Sequence, residues 1–140
     1  MNGARARYSH ILEPDRTLFQ LFIESKLYNY INLDFDVRVG TGRDPGPTFS
    51  NDIRRMAIHL SQRRIDCVAH TLAAIHIIEV TYSAGLTSLG QLIAYPSLYN
   101  ASFRPLLPVV PVLVCHDFQT DAQQHFIDRG ITYHLVTMPS

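Results

Sequence analysis

Residues 63–95, RRIDCVAHTLAAIHIIEVTYSAGLTSLGQLIAY, decide the fold. Two runs rich in β-branched and apolar residues, 65–71 and 74–82, flank a short turn and read as a strand hairpin. The second run is almost wholly apolar apart from Glu79, which places it at the centre of a sheet. A loop with Gly85 follows, with Thr87 or Ser88 as a helix cap. The helix then runs through Leu89, Leu92, Ile93 and Tyr95 and continues past Pro96 to Phe103. Side chains two apart on a strand share a face, so Glu79 and Thr81 project together and Val80 projects the other way. Asp66 begins the neighbouring strand, within reach of Glu79. A carboxylate among apolar residues is costly to bury unless it is paired or bound to a cation. Two such acids together suit Mg²⁺ or Mn²⁺, which prefer oxygen ligands. Gln91 and Tyr95, one helical turn apart, share the helix face nearest that pair.

Upstream, residues 1–15 read as a loosely held tail, with Asp15 as a candidate N-cap. A helix is predicted over 16–31 from Phe19, Ile23, Leu27 and Tyr30 at helical spacing. Lys26 falls on that apolar stripe and Glu24 to one side of it. Residues 33–41 alternate, with Leu33, Phe35, Val37 and Val39 on one face of a strand. The turn-rich GTGRDPGP of 40–47 fails the spacing of a phosphate loop, because Pro45 and Pro47 block an immediate helix. Residues 51–62 fit a short helix or a strand, with the balance toward helix. Arg54, Arg55, Arg63 and Arg64 form the densest basic region, which is either a solvated surface or a set of phosphate contacts. Downstream, 107–115 reads as a strand, 118–129 as a polar helix ended by Gly130, and 131–136 as a short edge strand. The first three strands pair antiparallel. The later strand–helix–strand alternation gives parallel pairing, and hence an α/β three-layer sandwich around a central mixed β-sheet.

The 140 residues fit one domain, 1–140, and 46% hydrophobic against 17% charged residues supplies enough apolar surface for a core. No apolar run is long enough to span a bilayer, and the first residues lack the apolar core of a signal peptide, so the expected location is cytoplasmic. Net charge is zero, which excludes a global basic field for nucleic acid. Lys26 is the only lysine against eleven arginines. Cys67 and Cys115 lie in apolar runs without ligand spacing and read as buried thiols. The seven histidines form no HxH or HExxH pair, which argues against zinc.

Asp66, then Glu79-Val80-Thr81, then Gly90-Gln91-Leu92 with Tyr95, resemble the PD-(D/E)XK nuclease superfamily, closest to its RecB-like and phage-encoded members. The resemblance spans roughly residues 17–116. It implies an αβββαβ restriction-endonuclease-like core and hydrolysis of DNA phosphodiester bonds with Mg²⁺ or Mn²⁺. Asp66, Glu79 and the Val80 carbonyl would be metal ligands, and Gln91 would orient the site. Glu24 would match an additional acid on the first helix. The motif lysine is replaced by Thr81, leaving Lys26 as the only lysine able to substitute. The resemblance therefore admits two outcomes: an active nuclease, or an inactive nuclease fold serving as a DNA-binding or structural module. The second includes a role in a phage particle or complex, placing the chain in the host cytoplasm or the virion. A homodimer is a further expectation.

Overall fold

The computed structural model describes residues 11–139. Most of the expected N-terminal tail lies outside those residues, but Ile11 does not behave as tail, being buried in the core at 6% exposure. Helix α1 (Asp15–Glu24) is followed by strand β1 (Asn32–Val39), helix α2 (Asn51–Ser61) and strands β2 (Arg63–His70) and β3 (Ile75–Ala84). Helix α3 (Leu86–Phe103), strand β4 (Val109–Phe118), helix α4 (Gln123–Asp128) and strand β5 (Thr132–Leu135) complete the order.

The five strands form one sheet in the order β1-β2-β3-β4-β5. β1, β2 and β3 pair antiparallel, whereas β3–β4 and β4–β5 pair parallel. The central place of β3 explains its near-continuous apolar sequence, since it is covered on both faces. On one face, Leu18, Phe19 and Phe22 of α1 pack on Cys67, Ile78, Val80 and Val114. On the other, Tyr95 and Tyr99 of α3 pack on Ile65, Val68, Ile75 and Ile77. Farther along that face, Leu89, Leu92 and Phe126 cover Leu113 and Cys115. The molecule is thus a mixed α/β sheet with helices on both sides. Both cysteines are buried and free.

Several local expectations change. Helix α1 stops at Glu24, seven residues short of the predicted end. Lys26 turns into the left-handed region at φ 55°, and its N–H donates to the Ile23 carbonyl, closing the last turn. Glycine usually occupies such a position. Its absence let the apolar periodicity run on through Leu27 and Tyr30. Tyr30 still reaches the core, from a loop, and its hydroxyl pairs with His76 Nδ1 at 2.7 Å. Pro14, rather than Asp15, takes the N-cap position of α1. Gly85, rather than Thr87 or Ser88, precedes α3, with no side-chain cap.

Strand β1 does not keep one apolar face. Leu33 and Phe35 pack toward α1, whereas Val37 and Val39 pack toward α3. The switch falls at Asp36, which has φ 55°. β2 switches opposite it: Cys67 and Ala69 face α1, while Ile65 faces α3. The β1–β2 register runs from Phe35–Cys67 to Val37–Ile65, with the Asp36–Asp66 position left out of the ladder. The strand after α3 begins at Val109 and runs to Phe118, and the polar helix shrinks to Gln123–Asp128.

Candidate functional site

Antiparallel pairing of β2 and β3 ends at Cys67–Ile78, one residue before Asp66 and Glu79 would face each other. Where the ladder stops, the two carboxyls meet. They share a hydrogen bond, and Asp66 Oδ2 also accepts from the Val80 N–H at 3.3 Å. Glu79 is only 8% exposed, and its Oε2 atom is buried without a hydrogen-bond partner among the described residues. Burial raises the Glu79 pKa first, and the Asp66 charge adds to it, pushing the group up from 4.5 to about 9. The pair as it stands holds a proton that a cation would displace.

The cleft above the pair is open and polar. One part, of about 330 Å³, is lined by Asp15, Asp66, Glu79, Val80, Thr81 and Gln91, with hydroxyls of the β3–α3 connection beside them. A second part, of about 350 Å³, shares Asp66, Glu79 and Gln91 and extends to Tyr95, Arg63, Arg64 and Asp36. The Val80 side chain is buried in the core on the α1 side, so it is the backbone of Val80 that lines the cleft. Gln91 lines the cleft beside Tyr95, whose phenol pKa is raised by burial and then by the Glu79 charge. Asp66, Glu79, Val80, Thr81, Gln91 and Tyr95 therefore come together as the sequence order indicated.

The accessory residues divide differently. Glu24 is exposed, accepts from Gln20 Nε2 at 3.0 Å and does not line the cleft. Lys26 is exposed beyond the end of α1 and also lies outside the cleft lining. No lysine lines the cleft. Arg54 is tied to Asp44 by two hydrogen bonds, at 3.0 and 2.7 Å, and Arg55 to Asp52; neither lines the cleft. Arg63 and Arg64 do, and Arg64 lies 3.4 Å from Asp36.

Asp15 is the acid that sequence reasoning missed as a site residue. It begins α1, and its Oδ1 accepts from the Tyr82 N–H at 2.9 Å across to β3. Burial raises its pKa, and the charge of Asp66 adds to that. An acid just after Pro14 carries an ordinary helix-start signal, and that signal hid its second position at the cleft.

The donor set fits a small hard cation in part. Two carboxylates and a nearby backbone segment are what Mg²⁺ ordinarily takes from a protein, the rest of its shell being water. The orphaned Glu79 Oε2 is a buried acceptor of the required kind. Among the described residues no group of three or more Asp, Glu, His or Cys side chains is gathered to hold a metal by itself. No helix among them is long and apolar enough to cross a membrane. No protein-family model, curated protein or solved structure matches the chain.

Proposed function

We propose that the chain is a divalent-metal-dependent nuclease of the PD-(D/E)XK type acting on DNA, with Asp66 and Glu79 as ligands for Mg²⁺ or Mn²⁺. The observation that carries this reading is the buried Glu79 Oε2 atom, left without a partner beside a second carboxylate at the floor of an open polar cleft. A bare buried acceptor costs on the order of 1–3 kcal/mol, and a charged one more. A cation relieves that cost and the repulsion between the two acids. Val80 would offer its carbonyl, and Asp15 would hold water on the outer side. The bound ion would supply positive charge at the phosphate and acidify water. Gln91, beside Tyr95, presents an amide to the scissile phosphate or to the attacking water. Thr81 offers a hydroxyl where the motif has a lysine. Loss of one such preorganised group costs about 3 kcal/mol, or about a hundredfold in rate, so turnover is expected to be slow.

A second reading, a nuclease fold that binds metal and DNA without turnover, is favoured by one observation: no lysine lines the cleft. Cleavage of single- and double-stranded DNA in Mn²⁺ or Mg²⁺ separates the two. The nuclease reading requires metal-dependent cutting that Glu79→Gln abolishes. Thr81→Lys is expected to raise the rate about a hundredfold. Metal binding with no cutting by the wild type or by Thr81→Lys would leave the binding module.

A further inference from the structure

Beyond Arg63 the cleft opens into a third recess, of about 490 Å³, lined by Val39, Gly40–Gly42, Arg43, Ser61, Arg63 and Leu98. Arg63 lines both this recess and the part of the cleft that contains Asp66 and Glu79, so the two adjoin at that residue. The recess is walled by the loop after β1, which is pinned rather than loose. Gln62 Nε2 donates to the Gly40 carbonyl at 2.7 Å, and the Arg43 N–H donates to Ser61 Oγ. Gly40 and Gly42 have φ of 88° and 67°, and a Cβ on Gly42 would collide with the Ile58 carbonyl oxygen. Only glycine lets this loop lie so close to α2.

Arg54, Arg55 and Arg64 are each met by a carboxylate, and Arg38 and Arg129 donate to backbone carbonyls. The Arg43 and Arg63 guanidinium groups have no hydrogen bond or ion pair to any described residue, and no acid lines the recess. Two arginines lining a shaped, acid-free recess suit a phosphate-type oxyanion. Arg63 lies three residues before Asp66 on β2, about 10 Å along the strand. That is about three steps of nucleic-acid rise.

We infer that this Arg43–Arg63 recess binds a backbone phosphate of a single nucleic-acid strand, a few nucleotides from the position held over Asp66 and Glu79. The choice of a nucleic-acid phosphate rests on the phosphodiester reading of the adjoining cleft; the oxyanion chemistry does not. The recess sets where a strand enters and which way it runs. It assigns strand contact to Arg43 and Arg63 and withdraws it from Arg54 and Arg55.

The test is fluorescence anisotropy of a labelled oligothymidylate in EDTA, so that no metal or cleavage contributes. Wild type is compared with Arg43→Gln/Arg63→Gln, with Arg43→Lys/Arg63→Lys, and with Arg55→Gln as a charge control; circular dichroism checks the fold of each. Counterion release gives about a fivefold change per phosphate contact on a single strand at 0.1 M salt. With one phosphate in the recess, the double Gln variant is therefore expected to weaken binding by about fivefold and to flatten the slope of log K against log salt by about 0.7. The double Lys variant keeps most of the affinity, and Arg55→Gln behaves as wild type. Inorganic phosphate at matched ionic strength is expected to compete only weakly. No binding by the wild type, equal loss in Arg55→Gln, or full competition by inorganic phosphate would overturn the inference. Binding lost in the Gln variant while the wild type fails to cleave with metal would uphold the recess and count against the nuclease reading alone.

Discussion

Glu79 concentrates the energetics of the site in one side chain. It sits on the most buried strand, at a point where the ladder ends and no N–H reaches Oε2. Burial, then the Asp66 charge, raises its pKa to about 9 in the fold against an ordinary 4.5. The folded state holds this proton more tightly than the unfolded chain does. Glu79 therefore favours folding fully below about pH 4.5, and that contribution falls as pH rises toward about 9. The metal-free chain is expected to lose stability between pH 6 and pH 8 relative to Glu79→Gln, which keeps the shape and cannot ionise. Thermal melts of both proteins at the two pH values check this. Added Mn²⁺ is expected to raise the wild-type melting temperature at pH 8 and leave the variant unchanged. A wild type and variant with the same pH dependence would remove Glu79 as the titrating group. Glu79 was legible from sequence because it is the one carboxylate in the largely apolar run IHIIEVTY. Asp15 was not legible, because an acid beginning a helix is ordinary and only the folded chain shows that the Tyr82 N–H brings it to the cleft.

The elements β1 and β2 show what pattern alone misses. A strict period of two assigns Leu33, Phe35, Val37 and Val39 to one face, but the left-handed turn at Asp36 reverses the second pair. The same slip in β2 frees Asp66 from a regular ladder position and leaves its side chain in the cleft with Glu79. A β-branched side chain at φ 55° is strained. Asp36→Val is accordingly expected to destabilise the fold by about 1–2 kcal/mol, and Asp36→Gly by less, in urea titrations. Equal stability of Asp36→Val and wild type would mean that the slip carries no backbone constraint. Helix α1 shows the complementary limit: nothing in the sequence marked its stop, since Lys26 fills a place usually taken by glycine. Its packing face was legible nonetheless. Phe19 is fully buried, edge-on to Phe35 at 5.8 Å, and Phe19→Ala is expected to cost about 3–5 kcal/mol.

At the scale of the whole molecule, the order of three antiparallel strands followed by two parallel additions was readable from the hairpin and from the later strand–helix–strand alternation. The placement of the site followed, because β2 and β3 must carry Asp66 and Glu79 to neighbouring ends. The expected place of Lys26 depended on a helix that runs through 31, whereas α1 ends at Glu24 and leaves Lys26 exposed beyond it. The distribution of positive charge was the least legible feature. Four arginines close in sequence divide in space, two neutralised on α2 and two on the cleft rim, and Arg43 joins the latter only through the folded loop. The central claim is that this mixed sheet presents the Asp66–Glu79 pair as a site for one divalent cation. Isothermal titration of Mn²⁺ into the metal-free chain, wild type against Glu79→Gln, tests it most directly. The expected result is saturable binding at one ion per chain in the wild type and none in the variant. No binding by the folded wild type, or equal binding by both proteins, would contradict it.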